Sequence, residues 1–476
     1  MRALALSLVL SALLALILTP LVRGLALRLG ALDPFSARKL LSPRPIPRMG
    51  GLAVALSFYA TLAALWLAGS VLTRATLAAD TPVLTIVVGS LPILLIGVLD
   101  DLRGLNALPK LSVEVTVSIG LWLAGLRIEP MHLLGLSPAD SQVLVAGWPM
   151  WVSALSCLLT VAWLVGVMNA TNLIDGLDGL AAGVAFFALS TTAVAAVLRG
   201  DLLLALVVCA LAGAVLGFLF YNRQPASIFL GDAGSLFLGY LLAATAIWSV
   251  RKAATAVLLV GPAVALGLPL LDTSLTISRR LLSGRPLMQG DGDHVHHRLR
   301  GRFGTRRAVF LLYAVCAVFS GLALLMLLGG RTHSRLGLGL SVVFAGGLGY
   351  GLGYLRGGPR GLWQALRRRA KTQAMLSAIS GASQRAAAAQ DLAALAAELA
   401  PVGTRLGLAL SLQPTTDATT QPDAERYPIG QGQEVLAHLL VTDRQTPPTP
   451  DEQALLQLLS DLLAPTVSRL LTARKA

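Results

Sequence analysis

The feature that most constrains this chain is a series of long apolar runs, separated by short polar segments, from residue 3 to residue 355. A helix needs roughly 20 mostly apolar residues to cross about 30 Å of hydrocarbon. Eleven runs approach that length: 3–28, 50–69, 83–99, 111–126, 147–168, 178–198, 202–221, 233–250, 254–276, 308–328 and 335–355. The run 111–126 is the weakest because it is short and carries Glu114. The pattern predicts an all-α polytopic membrane protein with about 11 transmembrane helices.

The composition agrees with a membrane protein and excludes two other classes. Hydrophobic residues make up 55% of the chain, charged residues only 13%, and the mean hydropathy is +0.72. Soluble domains carry about a quarter charged residues, and disordered chains combine low hydrophobicity with high net charge. The first run is longer than a signal-peptide core and no small-residue cleavage site follows it, so we expect it to stay as a span.

The net charge of +14 is unevenly distributed along the chain. Residues 372–476 are net acidic, so the first 371 residues hold the whole positive excess. There, Lys and Arg concentrate in the loops after the odd-numbered runs and after the last run, which the positive-inside rule places in the cytoplasm. Nucleic acid is not needed to explain this charge, and the chain lacks an aromatic platform on which bases could stack.

Acidic residues of the membrane part gather at the same cytoplasmic face. Ten of them lie there or just inside a span: Asp33, Asp100, Asp101, Glu114, Asp175, Asp178, Asp232, Asp272, Asp291 and Asp293. Carboxylates held at a bilayer boundary are costly and usually functional. A transporter would instead need charges near the midplane, where this sequence has almost none beyond Glu114.

Two acidic motifs border apolar runs. Asp100 and Asp101 close the run 83–99, and adjacent carboxylates repel each other unless a cation is near, which suggests a metal or a phosphate-handling acid–base site. Asp232, after Gly231, opens the run 233–250, where a carboxylate is well placed for Mg²⁺ or phosphate. The alternative explanations are a helix stop for the first motif and a helix cap for the second.

A third motif places two amides and two carboxylates in one short segment. Asn169, Asn172, Asp175 and Asp178 alternate with glycines, which allow the backbone to approach a ligand closely. A glycine-rich turn between two helices is the structural alternative, but it needs neither the second Asn nor the second Asp.

The fourth motif is a histidine cluster after Asp291, with His294, His296 and His297 followed by Arg298. It could bind zinc, but neither a Cys nor a helical His pair accompanies it, so hydrogen bonding to a diphosphate is preferred. Taken together, hard oxygen ligands favour Mg²⁺, and the basic groups favour an anionic substrate. At a membrane edge, this chemistry indicates phosphoryl transfer to or from a lipid.

These motifs resemble a known family, the polyprenyl-phosphate N-acetylhexosamine-1-phosphate transferases of the MraY/WecA superfamily (glycosyltransferase family 4). The resemblance covers about residues 30–355. It is carried by Leu32-Asp33-Pro34, Arg38-Lys39, Gly50-Gly51, Asp100-Asp101 with Lys110, the block from Asn169 to Gly179, Gly231-Asp232 and His294-x-His-His.

The resemblance implies an Mg²⁺-dependent enzyme, with Mn²⁺ as a candidate substitute. It would transfer a sugar 1-phosphate from a UDP-sugar to undecaprenyl phosphate and release UMP, the initiating step of a cell-envelope glycan. It further implies a multi-pass protein of the bacterial inner membrane, with the active site and the C-terminus in the cytoplasm. A homodimer is a candidate assembly, and a catalytically inactive membrane scaffold is the alternative from another class.

The resemblance also implies roles for individual residues. Asp100 would deprotonate or orient the lipid phosphate with support from Asp101, and Asp175 and Asp178 would position the diphosphate and the sugar. Asn172 and Asp232 would be metal ligands. The substrate-binding residues would be Lys39, Lys110, Asn169, Phe229, His294, His296, His297 and Arg298. We expect a one-step displacement by the lipid phosphate rather than a covalent aspartyl-phosphate.

The form of the histidine motif resembles the N-acetylglucosamine branch, so UDP-GlcNAc is the expected donor. Leu41 stands where the family often has a His, and Gly292 where it often has a basic residue. UDP-MurNAc-pentapeptide and a 6-deoxy acetamido sugar are therefore the alternative donors.

The C-terminal part is predicted to form a separate small α+β domain. We expect a membrane domain over 1–356, a basic linker over 357–371 and a cytoplasmic domain over 372–476. Its pattern predicts a helix near 372–400, strands at 405–412 and 435–442, a loop at 413–424 and an amphipathic helix at 451–473. This order faintly resembles a truncated GAF-type domain, and a packing or dimerisation appendage is favoured over a ligand sensor.

Overall fold

The computed structural model describes the chain in fifteen stretches. They are residues 1–33, 45–69, 82–129, 144–145, 148–250, 257–283, 294–328, 331–352, 381, 389–397, 399, 409–414, 425–431, 434–442 and 450–475. The chain divides into two compact units, one of Met1–Arg280 with Pro286–Arg356 and the other of Leu281–Arg285 with Gly357–Ala476.

The described residues up to Leu352 are almost entirely helical. Their helices are α1 Arg2–Leu29, α2 Gly50–Leu67, α3 Val83–Arg103, α4 Ala107–Leu123, α5 Met150–Ile174, α6 Leu180–Leu198, α7 Leu202–Asn222, α8 Gly231–Val250, α9 Val257–Ala265, α10 Gly267–Ser283, α11 Val295–Phe303, α12 Thr305–Leu328 and α13 Arg331–Gly351. Two short strands, β1 Leu144–Val145 and β2 Trp148–Pro149, pair antiparallel before α5.

Within the described residues, seven helices are long and apolar enough to cross a membrane, judged by length and composition. They are α1, α2, α3, α5, α6, α7 and α12. The other four predicted runs correspond to α4 with 17 residues, α8 with 20, the pair α9–α10 that is interrupted at Leu266, and α13. The all-α polytopic class is confirmed, and the number of eleven spans stays a prediction.

Helix α8 lies at the centre of this bundle. It contacts α2, α3, α5 and α6, and it is apolar all round, as a helix surrounded by other helices must be. Its Tyr240 is fully buried and donates a hydrogen bond to the Ile86 carbonyl of α3 at 3.2 Å.

Small residues let the neighbouring helices approach the start of α8. A Cβ added to Gly51 of α2 would lie 2.0 Å from the Gly234 nitrogen, and one on Gly97 of α3 would lie 2.5 Å from the Ala233 Cα. Such close contacts are how membrane helices pack. They bring the start of α2 and the last turns of α3 to the first turn of α8.

The segment before α2 is also tied to the segment before α8. Phe229 donates its backbone N–H to Pro47 at 2.8 Å, while Gly50 and Gly51 donate theirs to the carbonyls of Phe229 and Leu230 at 2.9 and 2.8 Å. These bonds satisfy two N–H groups that the start of α2 would otherwise leave open. Phe229 therefore holds two helix starts together through its backbone.

The C-terminal unit contains a three-stranded antiparallel sheet and a long helix. The strands are β3 Ala409–Pro414, β4 Glu425–Gln431 and β5 Glu434–Thr442, in the order β3-β5-β4. Helix α14 Pro450–Lys475 packs on β4 and β5. The buried core shared by sheet and helix includes Ile429, Leu439, Val441, Leu456, Leu459, Leu463 and Val467.

Most predicted elements of this unit correspond to observed ones, with two corrections. The predicted loop 413–424 is wrong at 413–414, which belong to β3, and strand β4 was not predicted. Strand β4 contains Pro428 and Gly430, which oppose strand formation; Pro is tolerated because β4 is an edge strand. Of the predicted helix 372–400, residues 392–397 are helical; most of the rest of that helix, the linker 357–371, and residues 405–408 and 415–424 lie outside the described residues.

Candidate active site

The four motifs lie on helix ends that the fold brings to one end of the bundle. The end of α3 carries Asp100 and Asp101, and the start of α4 carries Lys110. Asn172 lies in the last turn of α5, and Asp232 lies in the first turn of α8.

Asp101 holds the first turn of α8. Its side chain is 1% exposed, and its two oxygens accept hydrogen bonds from the backbone N–H groups of Asp232 at 2.9 Å and Ala233 at 3.1 Å. A carboxylate at this place satisfies open N–H groups and interacts favourably with the helix dipole. Gly231 has φ +73°, and a Cβ there would lie 2.5 Å from Asp101 Oδ2, so the turn requires glycine. Asp101 thus positions Asp232.

Asp100 faces a different set of groups. Lys110 Nζ donates to Asp100 Oδ2 at 3.2 Å and to Asp232 Oδ2 at 2.8 Å, and Asn172 Nδ2 donates to the same Asp232 oxygen at 3.1 Å. Asp100 Oδ1 also accepts from the Leu105 N–H at 2.6 Å. Two carboxylates therefore share one ammonium group, and these three side chains keep about a tenth to a quarter of their surface exposed. A charged ligand can reach them.

The amide of Asn169 is engaged by Glu114, the residue that weakened the fourth apolar run. Asn169 Nδ2 donates to Glu114 Oε2 at 2.5 Å and to the Val165 carbonyl at 2.9 Å. Glu114 follows Lys110 by four residues and Asn169 precedes Asn172 by three, so each pair shares one helix face. Glu114 and Asn169 therefore form a second carboxylate–amide pair, one helical turn away from Lys110 and Asn172 on the same two helices. Glu114 itself is buried.

Asp175 and Asp178 lie in the turn between α5 and α6, and both are half-buried. The Asp175 N–H donates to the Asn172 carbonyl at 3.2 Å. Asp178 Oδ2 accepts the Ala226 N–H at 3.1 Å, which connects this turn to the loop between α7 and α8. The turn is held further by Tyr313, whose hydroxyl donates to the Gly179 carbonyl at 2.6 Å.

The histidine motif is organised around Asp272 of α10, which is 2% exposed. Asp272 Oδ1 accepts the Val295 N–H at 2.8 Å, while Oδ2 lies 3.3 Å from His296 Nδ1 and 3.4 Å from His294 Nδ1. The two buried imidazoles are stacked with their centroids 5.4 Å apart. Because a carboxylate faces both Nδ1 atoms, Asp272 fixes the orientation of the two imidazole rings.

The histidine motif lies directly beside the Asp175 turn. A Cβ added to Gly176 would lie 2.1 Å from His296 Nε2, so only glycine leaves room for the ring. His297 and Arg298 are half-buried, with the His297 ring 4.4 Å from that of His296 and Arg298 Nη1 donating to the Leu352 carbonyl at 2.9 Å. The structure thus joins the third and fourth motifs, which are far apart in sequence.

Sequence reasoning gave no role to Asp272, although it counted this residue among the acids of the cytoplasmic face. The available signal was a carboxylate within an otherwise apolar segment. Its partners lie more than twenty residues away, beyond a segment outside the described residues. Lys39, Asp291 and Asp293 lie outside the described residues, so the substrate-binding role predicted for Lys39 stays a prediction.

The side chains of this site can bind Mg²⁺ if the substrate phosphates supply further oxygen ligands. Asp232 offers a carboxylate, Asn172 an amide that also has a carbonyl oxygen, and Lys110 shows that a positive charge is accommodated between Asp100 and Asp232. Among the described residues, no three His, Cys, Asp or Glu side chains could hold a metal ion by themselves. An ion here would need oxygens of the substrate phosphates, which is how Mg²⁺ is commonly bound.

The part of the chain that carries this site is similar in sequence to known proteins. Residues 83–250, which include the Asp100–Lys110–Asp232 group, match the sequence model described as Glycosyl transferase family 4. A probable undecaprenyl-phosphate N-acetylglucosaminyl 1-phosphate transferase of Bacillus subtilis (strain 168) is 38% identical over 314 residues, which cover 66% of this chain and 82% of the relative. The chain belongs to glycosyl transferase family 4. The predicted family is therefore confirmed.

Two further relatives show how far the likeness extends. A decaprenyl-phosphate N-acetylglucosaminephosphotransferase of Mycolicibacterium smegmatis is 34% identical over 385 residues, 76% of this chain and 91% of the relative. A phospho-N-acetylmuramoyl-pentapeptide-transferase of Desulforamulus reducens is 37% identical over 182 residues, but these cover only 37% of this chain and 50% of the relative. Both relatives named for N-acetylglucosamine match about twice as much of the chain.

Proposed function

We propose that this protein transfers N-acetylglucosamine 1-phosphate from UDP-N-acetylglucosamine to undecaprenyl phosphate and releases UMP. The observation that carries the proposal is the Asp100–Lys110–Asp232 group, which is partly exposed at the end of α3, a helix apolar enough to cross a membrane, and at the starts of α4 and α8. A lipid phosphate and a water-soluble sugar nucleotide can meet only at such a boundary. The names of relatives that share most of the chain support the same reaction.

The proposed reaction is a single displacement at phosphorus. An oxygen of the lipid phosphate forms a bond to the β-phosphorus of the UDP-sugar, the bond from that phosphorus to the α,β-bridging oxygen breaks, and UMP leaves with the electron pair. Asp100 orients the lipid phosphate and Lys110 neutralises negative charge beside it, so the two anions can approach. A phosphate dianion needs no covalent enzyme intermediate.

We propose Mg²⁺ as the cofactor, with Mn²⁺ as a substitute, held by Asp232, the carbonyl oxygen of Asn172 and substrate oxygens. The ion would neutralise the charge that develops on the diphosphate. Asp101 keeps Asp232 in place through the two N–H groups at the start of α8. Asp175, Asp178 and the histidine motif with Arg298 would contact the diphosphate and the sugar.

The proposed site faces the cytoplasm of a bacterium, at the inner membrane. The Lys and Arg distribution supports this orientation, because basic loops stay on the cytoplasmic side. N-acetylglucosamine is preferred over N-acetylmuramoyl-pentapeptide because the relatives named for the former match the larger share of the chain.

The test is UMP release by the purified full-length protein with undecaprenyl phosphate, Mg²⁺ and a panel of UDP-sugars. Wild type is compared with Asp232→Asn and Asp100→Asn. Asp201→Asn is the matched control, because Asp201 caps the start of α7 through the Leu204 N–H at 3.1 Å and Asn caps a helix equally well. We expect release with UDP-N-acetylglucosamine, loss of release with EDTA, and at least a 100-fold loss in the first two variants only.

Other outcomes separate the remaining possibilities. Release with a different acetamido sugar only would keep the reaction and change the donor. Release that survives EDTA would remove Mg²⁺ from the proposal. No release with any donor, from protein that elutes as a folded species, would contradict the transferase function and favour the scaffold.

A further inference from the structure

A cavity of about 460 Å³ lies between the end of α7 and the start of α12, apart from the residues to which the proposed reaction gives a role. Its lining includes Phe220, Arg223, Gln224 and Ser227 from α7 and the loop that follows, and Arg306 from the first turn of α12. Among the described residues that line it are two arginines and no carboxylate. The cavity is therefore a positively charged pocket.

The pocket lies where two lipid-facing helix surfaces end. Phe220 is 57% exposed and lies one turn after the exposed Leu216, so both occupy one face of α7, and Arg223 follows at the helix end. Phe310 is 67% exposed and lies one turn after Arg306 on α12. Both helices are apolar enough to cross a membrane. The exposed apolar faces belong against acyl chains, and the arginines then lie at the depth of the lipid phosphates.

The local contacts prepare the pocket for an anion. The Arg223 guanidinium lies 5.1 Å from the centre of the Phe220 ring, a cation–π distance that holds the charge at the edge of the apolar face. Arg306 lies in the first turn of α12, where the helix dipole disfavours a cation and favours an anion beside it.

We propose that this pocket binds the headgroup of an anionic phospholipid, with Arg223 and Arg306 on the phosphate. Phosphatidylglycerol fits this site, because it combines an anionic phosphodiester with acyl chains that can lie along α7 and α12. Basic pockets between membrane helices recognise lipid headgroups in this manner.

The bound lipid would also influence the active site. The loop that lines the pocket continues to Ala226, whose N–H is bonded to Asp178. Headgroup binding would hold this loop and so favour the arrangement that keeps Asp178 in place. This second consequence rests on the proposed function, whereas the binding itself does not.

Binding is tested by native mass spectrometry of the full-length protein in detergent, titrated with phosphatidylglycerol or with phosphatidylcholine of the same chain length. One saturable phosphatidylglycerol is expected. Arg223→Gln and Arg306→Gln should each weaken its binding about fivefold, and the pair about 25-fold, since a basic residue near a lipid phosphate contributes about 1 kcal/mol. Arg307→Gln is the matched control, a neighbouring exposed arginine that does not line the pocket, and should change binding less than twofold.

Several results would overturn the assignment. Equal weakening by Arg307→Gln would show general surface charge instead of a site, and equal binding of phosphatidylcholine would exclude recognition of an anionic headgroup. Saturation by soluble glycerol 3-phosphate would assign the pocket to a free phosphate ester. Displacement by an equal concentration of undecaprenyl phosphate would assign it to the lipid substrate. Arg223→Lys/Arg306→Lys keeps both charges and should retain most of the binding, which separates loss of charge from loss of folding.

The activity consequence is measured separately, as UMP release in nanodiscs with an increasing fraction of phosphatidylglycerol. Wild type should gain several-fold, and the double Gln variant should not respond. If binding holds but activity does not respond, the site stands and its link to Asp178 is wrong. If no preparation releases UMP, the proposed function fails while the binding result is unaffected.

Discussion

Replacing Asp101 separates a positioning role from a chemical one. Asp101→Ala removes the acceptor for two backbone N–H groups that are buried at the start of α8. A buried donor left without a partner costs about 1–3 kcal/mol, so the loss for two donors is about 2–6 kcal/mol. The unfolding entropy of globular proteins is roughly 2.1 cal/mol/K per residue. Dividing the lost free energy by this entropy, summed over the compact unit that contains Asp101 (Met1–Arg280 with Pro286–Arg356), gives a fall in melting temperature of about 3–8 °C.

The comparison variant is Asp100→Ala, its neighbour in sequence. Asp100 is bonded to Lys110 and the Leu105 N–H, and it is more open to solvent than Asp101. Water can replace part of these bonds, so this variant should lose less than half as much stability. The assay is thermal unfolding of each purified variant in the same detergent, followed by fluorescence, together with UMP release at a temperature where all variants are folded.

We expect both variants to be inactive and only Asp101→Ala to be strongly destabilised. An Asp101→Ala protein as stable as wild type, yet inactive, would refute the positioning argument and return Asp101 to the reacting groups. An Asp101→Ala protein that is destabilised but fully active would show that Asp232 does not depend on this contact.

Three further changes test the rest of the site. Asp272→Asn should raise the KM for the UDP-sugar about tenfold and leave the KM for the lipid phosphate unchanged, because the His296 ring loses its fixed orientation. ¹⁵N NMR of the histidines should show that the hydrogen bond at Nδ1 has changed. Gly176→Ala should lower kcat/KM by about 10–100-fold because its Cβ would meet His296 Nε2, whereas Gly166→Ala, with open space around it, should be neutral. Lys110→Met should lower kcat by about 100-fold through loss of a cation beside the transferring phosphate, and Lys110→Arg should recover part of it; both are read from initial rates of UMP release.

For each of these three predictions, one outcome would contradict the reasoning. An equal rise in both KM values for Asp272→Asn would indicate general damage to the structure. Equal activity of the two glycine variants would show that His296 is not held against Gly176 during the reaction, and an active Lys110→Met protein would exclude a charge-neutralising role for the lysine.

The sequence alone was sufficient for the fold class, because the length and apolarity of a span are local properties of one segment. It also identified the residue types of the site, since carboxylates, amides and histidines at a membrane boundary are uncommon enough to be conspicuous. It was less reliable where a segment depends on its neighbours. The run 254–276 is interrupted at Leu266, and strand β4 forms against its own poor propensity because β5 and α14 cover it.

Only the tertiary structure could divide the work among these residues. Asp100 and Asp101 are adjacent in sequence, but successive helix positions point about 100° apart, so one faces Lys110 and the other faces the start of α8. Asp272 acquires its place from His294 and His296, and Asn169 acquires its partner from Glu114 on another helix. The sequence determined which chemical groups are present and on which helices they lie. The packing of those helices decided which groups meet. Each such pair joins two segments that are far apart in sequence, and no local sequence pattern specifies how close they lie in the folded chain.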